Sequence, residues 1–282
     1  MKIGIAGLGL IGGSIAKAYR EFANESGANI EILGYNRSKT VADFALLEGT
    51  LDGLLDEKNV GDCELIFIGL YPKATVEYLE KIAPLLSKSA YVIDLCGTKK
   101  EVCRIGFALA EKYGFTFVGG HPMAGTQFSG YKYSKANMFR GAPMVLVPPR
   151  FDDITLFDKL KTVLTPVGFG KFSFTTADEH DKLIAFTSQL AHVVSNAYVK
   201  SPTAKSHKGF SAGSYKDLTR VARLNENMWT ELFFENKEPL LTEIDTIINS
   251  LKEYRDALEQ DDRDKMRTLL REGSVAKELI DG

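Results

Sequence analysis

Only three of the 282 residues are cysteines, Cys63, Cys96 and Cys103, and only one, Trp229, is a tryptophan. An odd cysteine count without paired CxxC spacing excludes a disulfide framework and a cysteine zinc site, so no metal is expected and a reducing cytoplasm fits best. No apolar run reaches the 18 or so residues that a membrane helix needs. Met1-Lys2 opens straight into a strand-like run, which leaves no room for a signal or transit peptide. Charge of one sign is also missing. With 35 Lys and Arg against 37 Asp and Glu the formal charge is only -2, which speaks against a nucleic-acid or membrane partner. Internal repeats and low-complexity segments are absent.

What is present is an ordinary globular composition, 44% hydrophobic and 26% charged, long enough for two domains. The first half alternates short apolar runs with helical patterns: "KIGIAG", "GSIAKAYREF", "IEILGYN", "TVADFALLEG", "ELIFIGL", "ATVEYLEKIAPLL", "AYVIDLCG", "KKEVCRIGFALAEKYG" and "FTFVGGHP". Strands separated by helices of this length predict right-handed crossovers and a mostly parallel, Rossmann-type α/β sheet. "APMVLVPP" (142–149) and "GKFSFTT" (170–176) read as later strands flanking a helix over 153–168. From about residue 177 long 3.6-period segments take over, so an all-α domain is expected over 177–282 after a dinucleotide-binding domain over 1–176. The segment 181–200, apolar around much of its circumference, reads as the buried central helix of that second domain. The Gly-, Ser- and Lys-rich stretch 201–217 reads as either a linker or an ordered loop beside a site. Two amphipathic helices follow it.

"GIAGLGLIGGS" places Gly7, Gly9 and Gly12 in G-x-G-x-x-G spacing between a strand and a helix. In that context the first glycine makes a tight turn and the second admits a pyrophosphate. The third lets helix and strand approach, and the phosphates rest on free helix N–H groups. Leu10 and Ile11 belong to the same turn, while Leu70 and Gly97 follow later strands, where ligands of such sheets bind. An Asp or Glu at the end of the second strand would receive the ribose hydroxyl of NAD. Asn36 stands there instead. Arg37 with Ser38 suits a 2′-phosphate, and Asn36 could still bond the ribose of NAD, so the cofactor is read as NADP or NAD with a lean to NADP.

Hydride transfer from an alcohol needs a proton acceptor and a group that positions the substrate. The loops "DLCGTKKEV" and "GGHPMAGTQ" both follow strands, so Thr98 and His121 are expected to converge on one cleft. By itself Thr98 would cap the helix "KKEVCRIG", and His121 would be a turn residue bonded to backbone.

With these motifs in order, "GLGLIGGS", "DLCGTKK" as D-x-x-G-[ST]-x-K, "HPMAGT" with "SG" close behind, "EHDKLIAFTSQLAH" and "GSYKDLTRVARLNENMWTELFFEN", the chain resembles the prephenate/arogenate dehydrogenase family over essentially its whole length. The resemblance implies an oxidative decarboxylation. Hydride leaves C4 of prephenate for the nicotinamide, the 4-hydroxyl becomes a carbonyl, and the ring carboxylate departs as carbon dioxide to give 4-hydroxyphenylpyruvate in tyrosine biosynthesis. It makes His121 the proton acceptor, with Thr98 sharing the hydroxyl. It also makes Arg220, His192, Thr126 and Gln127 substrate-binding, with Thr126 at the mouth of the cleft, and the protein a homodimer. Asp217, three residues before Arg220, is expected to hold its guanidinium, and Trp229 to anchor core or interface near the site.

Three departures from the family pattern stand out. Gln189 and Ala191 replace the first histidine and the proline of Ser-His-Leu-Pro-His, Gln127 replaces a common glutamate, and Tyr215-Lys216-Asp217 replaces Phe-Arg-Asp. They bear on substrate preference and pH behaviour. Arogenate is the rival substrate. A 6-phosphogluconate-type dehydrogenase would use a catalytic lysine in its helical domain, and a nucleotide-sensing regulator would not need His121 or Arg220. No appended regulatory domain is expected after the last helix, so any tyrosine inhibition would act at the active site.

Overall fold

The computed structural model describes every residue except Gln127 and Gly282. Eight strands form one sheet: β1 (Lys2–Ala6), β2 (Glu31–Tyr35), β3 (Gly53–Leu54), β4 (Leu65–Ile68), β5 (Tyr91–Asp94), β6 (Thr116–Pro122), β7 (Pro143–Val147) and β8 (Lys171–Phe174). Their order is β3-β2-β1-β4-β5-β6-β7-β8. All neighbours are parallel except β6 and β7, which pair antiparallel with His121 opposite Val145. The order reverses direction between β1 and β4, the switch point at which doubly wound sheets open a crevice.

The strands are short apolar runs because both faces of the sheet are covered. Along β4, Leu65 and Phe67 enter one core with Ile3, Ile5 and Ile93, while Ile66 and Ile68 enter the other with Val92. Side chains that alternate across the pleat account for this split. Helices α1 (Leu10–Ser26), α2 (Lys39–Leu47) and α5 (Ile154–Leu164) cover the first face; α3 (Pro72–Ile82) and α4 (Lys100–Tyr113) cover the second.

After β8 the chain is helical: α6 (Ala177–Ile184), α7 (Ala191–Tyr198), α8 (Gly213–Thr219), α9 (Glu226–Glu235), α10 (Lys237–Glu259) and α11 (Arg263–Asp281). A π-helical turn over Ala185–Leu190 joins α6 to α7. The segment 181–200, expected as one buried central helix, is therefore interrupted by this turn and only partly buried. Leu183, Phe186 and Tyr198 are exposed, because the other helices cover only one side of it. The stretch 201–217 is ordered as a short 3-10 turn (Pro202–Ser206) followed by the start of α8, with His207 stacked on Tyr215. Among the described residues no helix is long and apolar enough to cross a membrane.

Caps fix where several of these helices begin. The side chains of Asp153, Thr176 and Asn225 accept from Leu156, Glu179 and Met228 N–H at the starts of α5, α6 and α9. The starts of α1 and α4 lack a side-chain cap of this kind. Both lie at the crevice.

Candidate active site

The turn between β1 and α1 is built around its glycines. Gly7 has φ +93, in the left-handed region, and a Cβ on it would meet the carbonyl of Gly69. A Cβ on Gly12 would run into Gly7 O, whereas one on Gly9 would point into open space. The approach to the first turn of α1 is thus clear, and its N–H groups are free of any side-chain cap. That arrangement fits a dinucleotide pyrophosphate. The other residues expected to bind cofactor line up on the carboxyl ends of adjacent strands: Asn36, Arg37 and Ser38 after β2, Leu70 after β4 and Gly97 after β5. Asn36 Oδ1 accepts from Leu8 N–H at 3.1 Å and its amide donates to Ser38 O at 3.2 Å, so this side chain ties the glycine turn to the end of β2. Arg37 is exposed.

The β5–α4 loop is pinned by Asp94. Its carboxylate accepts from Cys96 N–H at 2.9 Å and from Gly120 N–H at 3.1 Å, and it forms a fully buried ion pair with Lys99 Nζ. Burial pulls the Lys99 ammonium down, but the adjacent Asp94 charge outweighs it and the net shift is upward. The lysine of the D-x-x-G-[ST]-x-K pattern itself, Lys100, pairs at the surface with Asp178. Gly119 and Gly120 allow β6 to lie tight against this loop, since a Cβ on Gly119 would overlap Cys103 Sγ and one on Gly120 would meet Asp94 O at 2.5 Å.

His121 follows at the end of β6, so it belongs to a strand and not to a turn. Its Nε2 lies 4.0 Å from where a Cβ would sit on Gly97. Its Nδ1 lies 2.9 Å from His180 Nε2 on α6. Burial lowers the His121 pKa well below the usual histidine value, and His180 and the Lys99 cation push it the same way, so the ring is neutral near pH 7.

Thr98 does not cap α4. The helix starts after Lys99, and the cap comes from the helical half of the molecule: Asp181 accepts from Lys99 N–H at 2.7 Å and from Lys100 N–H at 2.8 Å. Thr98 is thereby free to donate to Glu235 Oε2 on α9 at 3.0 Å. Burial raises the Glu235 pKa; the Thr98 hydrogen bond opposes this, and the carboxylates of Glu231, Asp181 and Glu101 add to it. Glu231 meanwhile accepts from Lys73 N–H at the start of α3. The helical half thus docks by placing carboxylates on two helix N-termini of the sheet half, where the helix dipole favours negative charge.

His192 and Arg220 form a second group. Both line a cavity of about 540 Å³ between α7, α8 and α10, together with Asp217 and Phe186. His192 Nδ1 is 3.0 Å from Val221 O, and burial with the nearby Arg220 cation lowers its pKa against the effect of that carbonyl. Asp217 and Arg220 form no ion pair, contrary to the i,i+3 expectation: α8 ends at Thr219 and Arg220 lies beyond its last turn. Trp229 is neither core nor remote, for its ring packs on His192 at 4.0 Å between centroids. Helix α9 links the two groups, since Leu232, three residues on from Trp229, contacts the Gly97 position. Thr126 lies in the loop after β6, in a local turn in which its hydroxyl donates to Phe128 O and accepts from Phe128 N–H. Gln127 lies outside the described residues.

Gln189, one of the departures from the family pattern, is buried in the joint between the π turn and α9. Its amide donates to Leu232 O at 3.1 Å and its carbonyl accepts from Asn236 at 2.7 Å, so both polar groups are engaged within the protein. Asp94, Lys99, His180, Asp181 and Glu235 were not singled out from the sequence. All five fall within the quoted motifs, Asp94 and Lys99 in "DLCGTKK", His180 and Asp181 in "EHDKLIAFTSQLAH" and Glu235 in "MWTELFFEN", but none was given a role there.

A dinucleotide crevice, a neutral histidine at its edge and a helical half reaching across it define a nicotinamide-dependent oxidoreductase. Comparison with known proteins agrees. The prephenate dehydrogenase nucleotide-binding domain matches residues 16–172 and the prephenate dehydrogenase dimerization domain matches residues 176–272. The prephenate dehydrogenase of Bacillus subtilis is 31% identical over 289 residues, covering 99% of this chain and 75% of its own. The A. aeolicus prephenate dehydrogenase, solved in complex with hydroxyphenyl propionate and NAD+, matches with a TM-score of 0.82 at 28% identity over 100% of this chain and 98% of its own. Synechocystis arogenate dehydrogenase matches with a TM-score of 0.80 at 26% identity over 99% of each chain. The chain belongs to the prephenate dehydrogenase family.

Proposed function

We propose that this chain catalyses the oxidative decarboxylation of prephenate to 4-hydroxyphenylpyruvate, a step of tyrosine biosynthesis in the cytoplasm. The observation that carries the reading is the neutral His121, whose Nε2 faces Gly97 at the strand ends that also form the dinucleotide cradle. When bound there, the nicotinamide ring supplies the hydride acceptor. His121 takes the proton of the 4-hydroxyl, and Thr98 holds the same oxygen. Arg220 forms no ion pair among the described residues, so its guanidinium is available for a substrate carboxylate, with His192 beside it. Thr126, in the loop after β6, stands at the entrance.

The division at residue 176 separates the dinucleotide domain from the substrate and dimerisation domain. NADP is accepted as well as NAD, because the β2 end offers Arg37 and Ser38 and no acid; the A. aeolicus relative was solved with NAD+. The working form is a homodimer. On α10, Leu241, Ile248, Leu251 and Leu258 are exposed at spacings of seven, three and seven residues, a stripe that a second copy would bury.

A second reading, arogenate as substrate, has one observation in its favour: Asp217 lines the Arg220 cavity without an ion-pair partner and could receive an amine. One assay separates the two. Prephenate and arogenate are each offered with NAD and with NADP, and reduction is followed at the nicotinamide band. Turnover of prephenate is expected with both cofactors, and no turnover in any of the four combinations would overturn the reading.

A further inference from the structure

A line of three side chains crosses from the helical half to His121. Both oxygens of Asp181 accept backbone N–H groups, from Lys99 and Lys100, so each serves as a hydrogen-bond acceptor. His180 Nδ1 lies 2.7 Å from Asp181 Oδ1, so that nitrogen carries hydrogen and donates. The other nitrogen of a neutral His180 is then bare. Since it lies 2.9 Å from His121 Nδ1, His121 must be the donor in that contact. His121 Nε2 is left as a lone pair directed at the Gly97 side of the cleft. No buried side-chain nitrogen or oxygen among the described residues lacks a partner, so the hydrogen inventory closes.

We propose that His180 and Asp181 are positioning residues for this reaction: they fix His121 in its Nδ1–H form and take up the positive charge created when Nε2 accepts the substrate proton. The proposal rests on the reaction assigned above. As C4 gives up hydride, the O–H electron pair of the 4-hydroxyl becomes the second C–O bond and its proton moves to His121 Nε2. The Nδ1 proton then passes along the existing contact to His180 Nε2, which leaves His121 neutral and an imidazolium against Asp181. When the bond to the ring carboxylate breaks, its electron pair restores the aromatic ring and places negative charge on the 4-oxygen. The stored proton returns there by the reverse path, so no proton is released overall.

The charged groups around this line are few. Lys99 from the start of α4 faces both histidines, and Asp94 on β5 faces His180 while neutralising Lys99. Glu235 on α9 is coupled to Asp181 and bonded to Thr98. With Lys99 and Asp94 paired, Asp181 is the negative charge left to support the cation.

The test begins with nitrogen-15 NMR of histidine-labelled wild-type protein, His121 being assigned by its loss in His121→Asn. A neutral ring protonated at Nδ1 is expected; protonation at Nε2 would overturn the proposal. Kinetics follow on three variants. His180→Leu, which lacks an acceptor, should lower kcat by about 100-fold with substrate KM and dinucleotide affinity within about twofold. His180→Gln keeps an acceptor without a second proton site and should recover to within about tenfold of wild type. Asp181→Asn should move the acid limb of the kcat profile to lower pH. A kcat for His180→Leu within threefold of wild type would also overturn the proposal, and if that variant does not fold, the wild-type spectrum and His180→Gln decide. Failure of wild type to oxidise either substrate would defeat the reaction assignment alone, since the tautomer is read in the resting protein.

Discussion

The sheet half and the helical half differ in how much of their own surface they bury. Up to β8, both faces of the sheet are covered within one chain, and Ile3, Phe67 and Leu160 are wholly inaccessible. After it, the one core cluster among the described residues is Ala185, Leu190 and Leu240, while Leu251 and Leu258 remain 61% and 69% exposed. A sheet that covers itself makes a fixed cradle for a ligand held by backbone. Helices that do not cover themselves leave apolar side chains at the surface, and what they contribute to the cleft is side chains: Asp181, His180, Glu231 and Glu235.

The chemistry divides along the same line, and the largest expected effect tests it. His121→Asn, on the sheet side, should lower kcat by roughly 100- to 10,000-fold, the range of a lost general base, with dinucleotide affinity unchanged. Arg220→Ala, on the helical side, should instead raise substrate KM by roughly 10- to 100-fold through loss of a charged hydrogen bond, with kcat much less affected. Steady-state kinetics of the two variants side by side would break the division if both moved the same parameter.

The unequal burial gives the next test. Leu251→Glu places a charge in the exposed stripe of α10 and should weaken self-association by roughly 10- to 100-fold, read by sedimentation at several concentrations. Dinucleotide binding by the sheet half should persist. An unchanged dimer would move the interface away from α10.

The same contrast governs what the sequence could reveal. Strands of four or five continuous apolar residues and the Gly7-Gly9-Gly12 turn are local signals, so the sheet half was legible almost element by element. His121 was legible as a residue set after a strand, and its ending β6 follows from two glycines that allow close packing. The seam was not legible, because its contacts are made across the chain: Asp181 caps a helix 82 residues earlier, and Lys99 is buried by a loop no local pattern describes. Nor does periodicity reveal a π turn, since one inserted residue shifts the apolar stripe without erasing it. Gln189 shows the cost of reading a motif alone. A position that stood out only as a departure from a motif is a buried joint between the π turn and α9.

The smallest expected effect concerns that seam. Burial lowers the pKa of His121 and of His180, in the second case against the pull of Asp181, so the native state holds both rings neutral where the unfolded chain, with histidines near 6.5, protonates them. Between 6.5 and the lower native values the unfolded state binds more protons, and stability therefore falls as pH drops through that window. Each ring contributes at most about 1.4 kcal/mol per pH unit there. Glu235 acts with the opposite sign: burial raises its pKa, so the native state retains a proton that the unfolded state loses, and its contribution diminishes as pH rises from about 4.5. The histidines lie at the contact between the halves, so acidification should loosen the docking of α6 on α4 before it disturbs the sheet. Thermal unfolding of wild type between pH 7.5 and 5 should show a falling midpoint, and His180→Gln, with one titrating ring fewer, a shallower fall. Equal slopes in the two proteins would mean that the seam does not set the acid sensitivity of the fold.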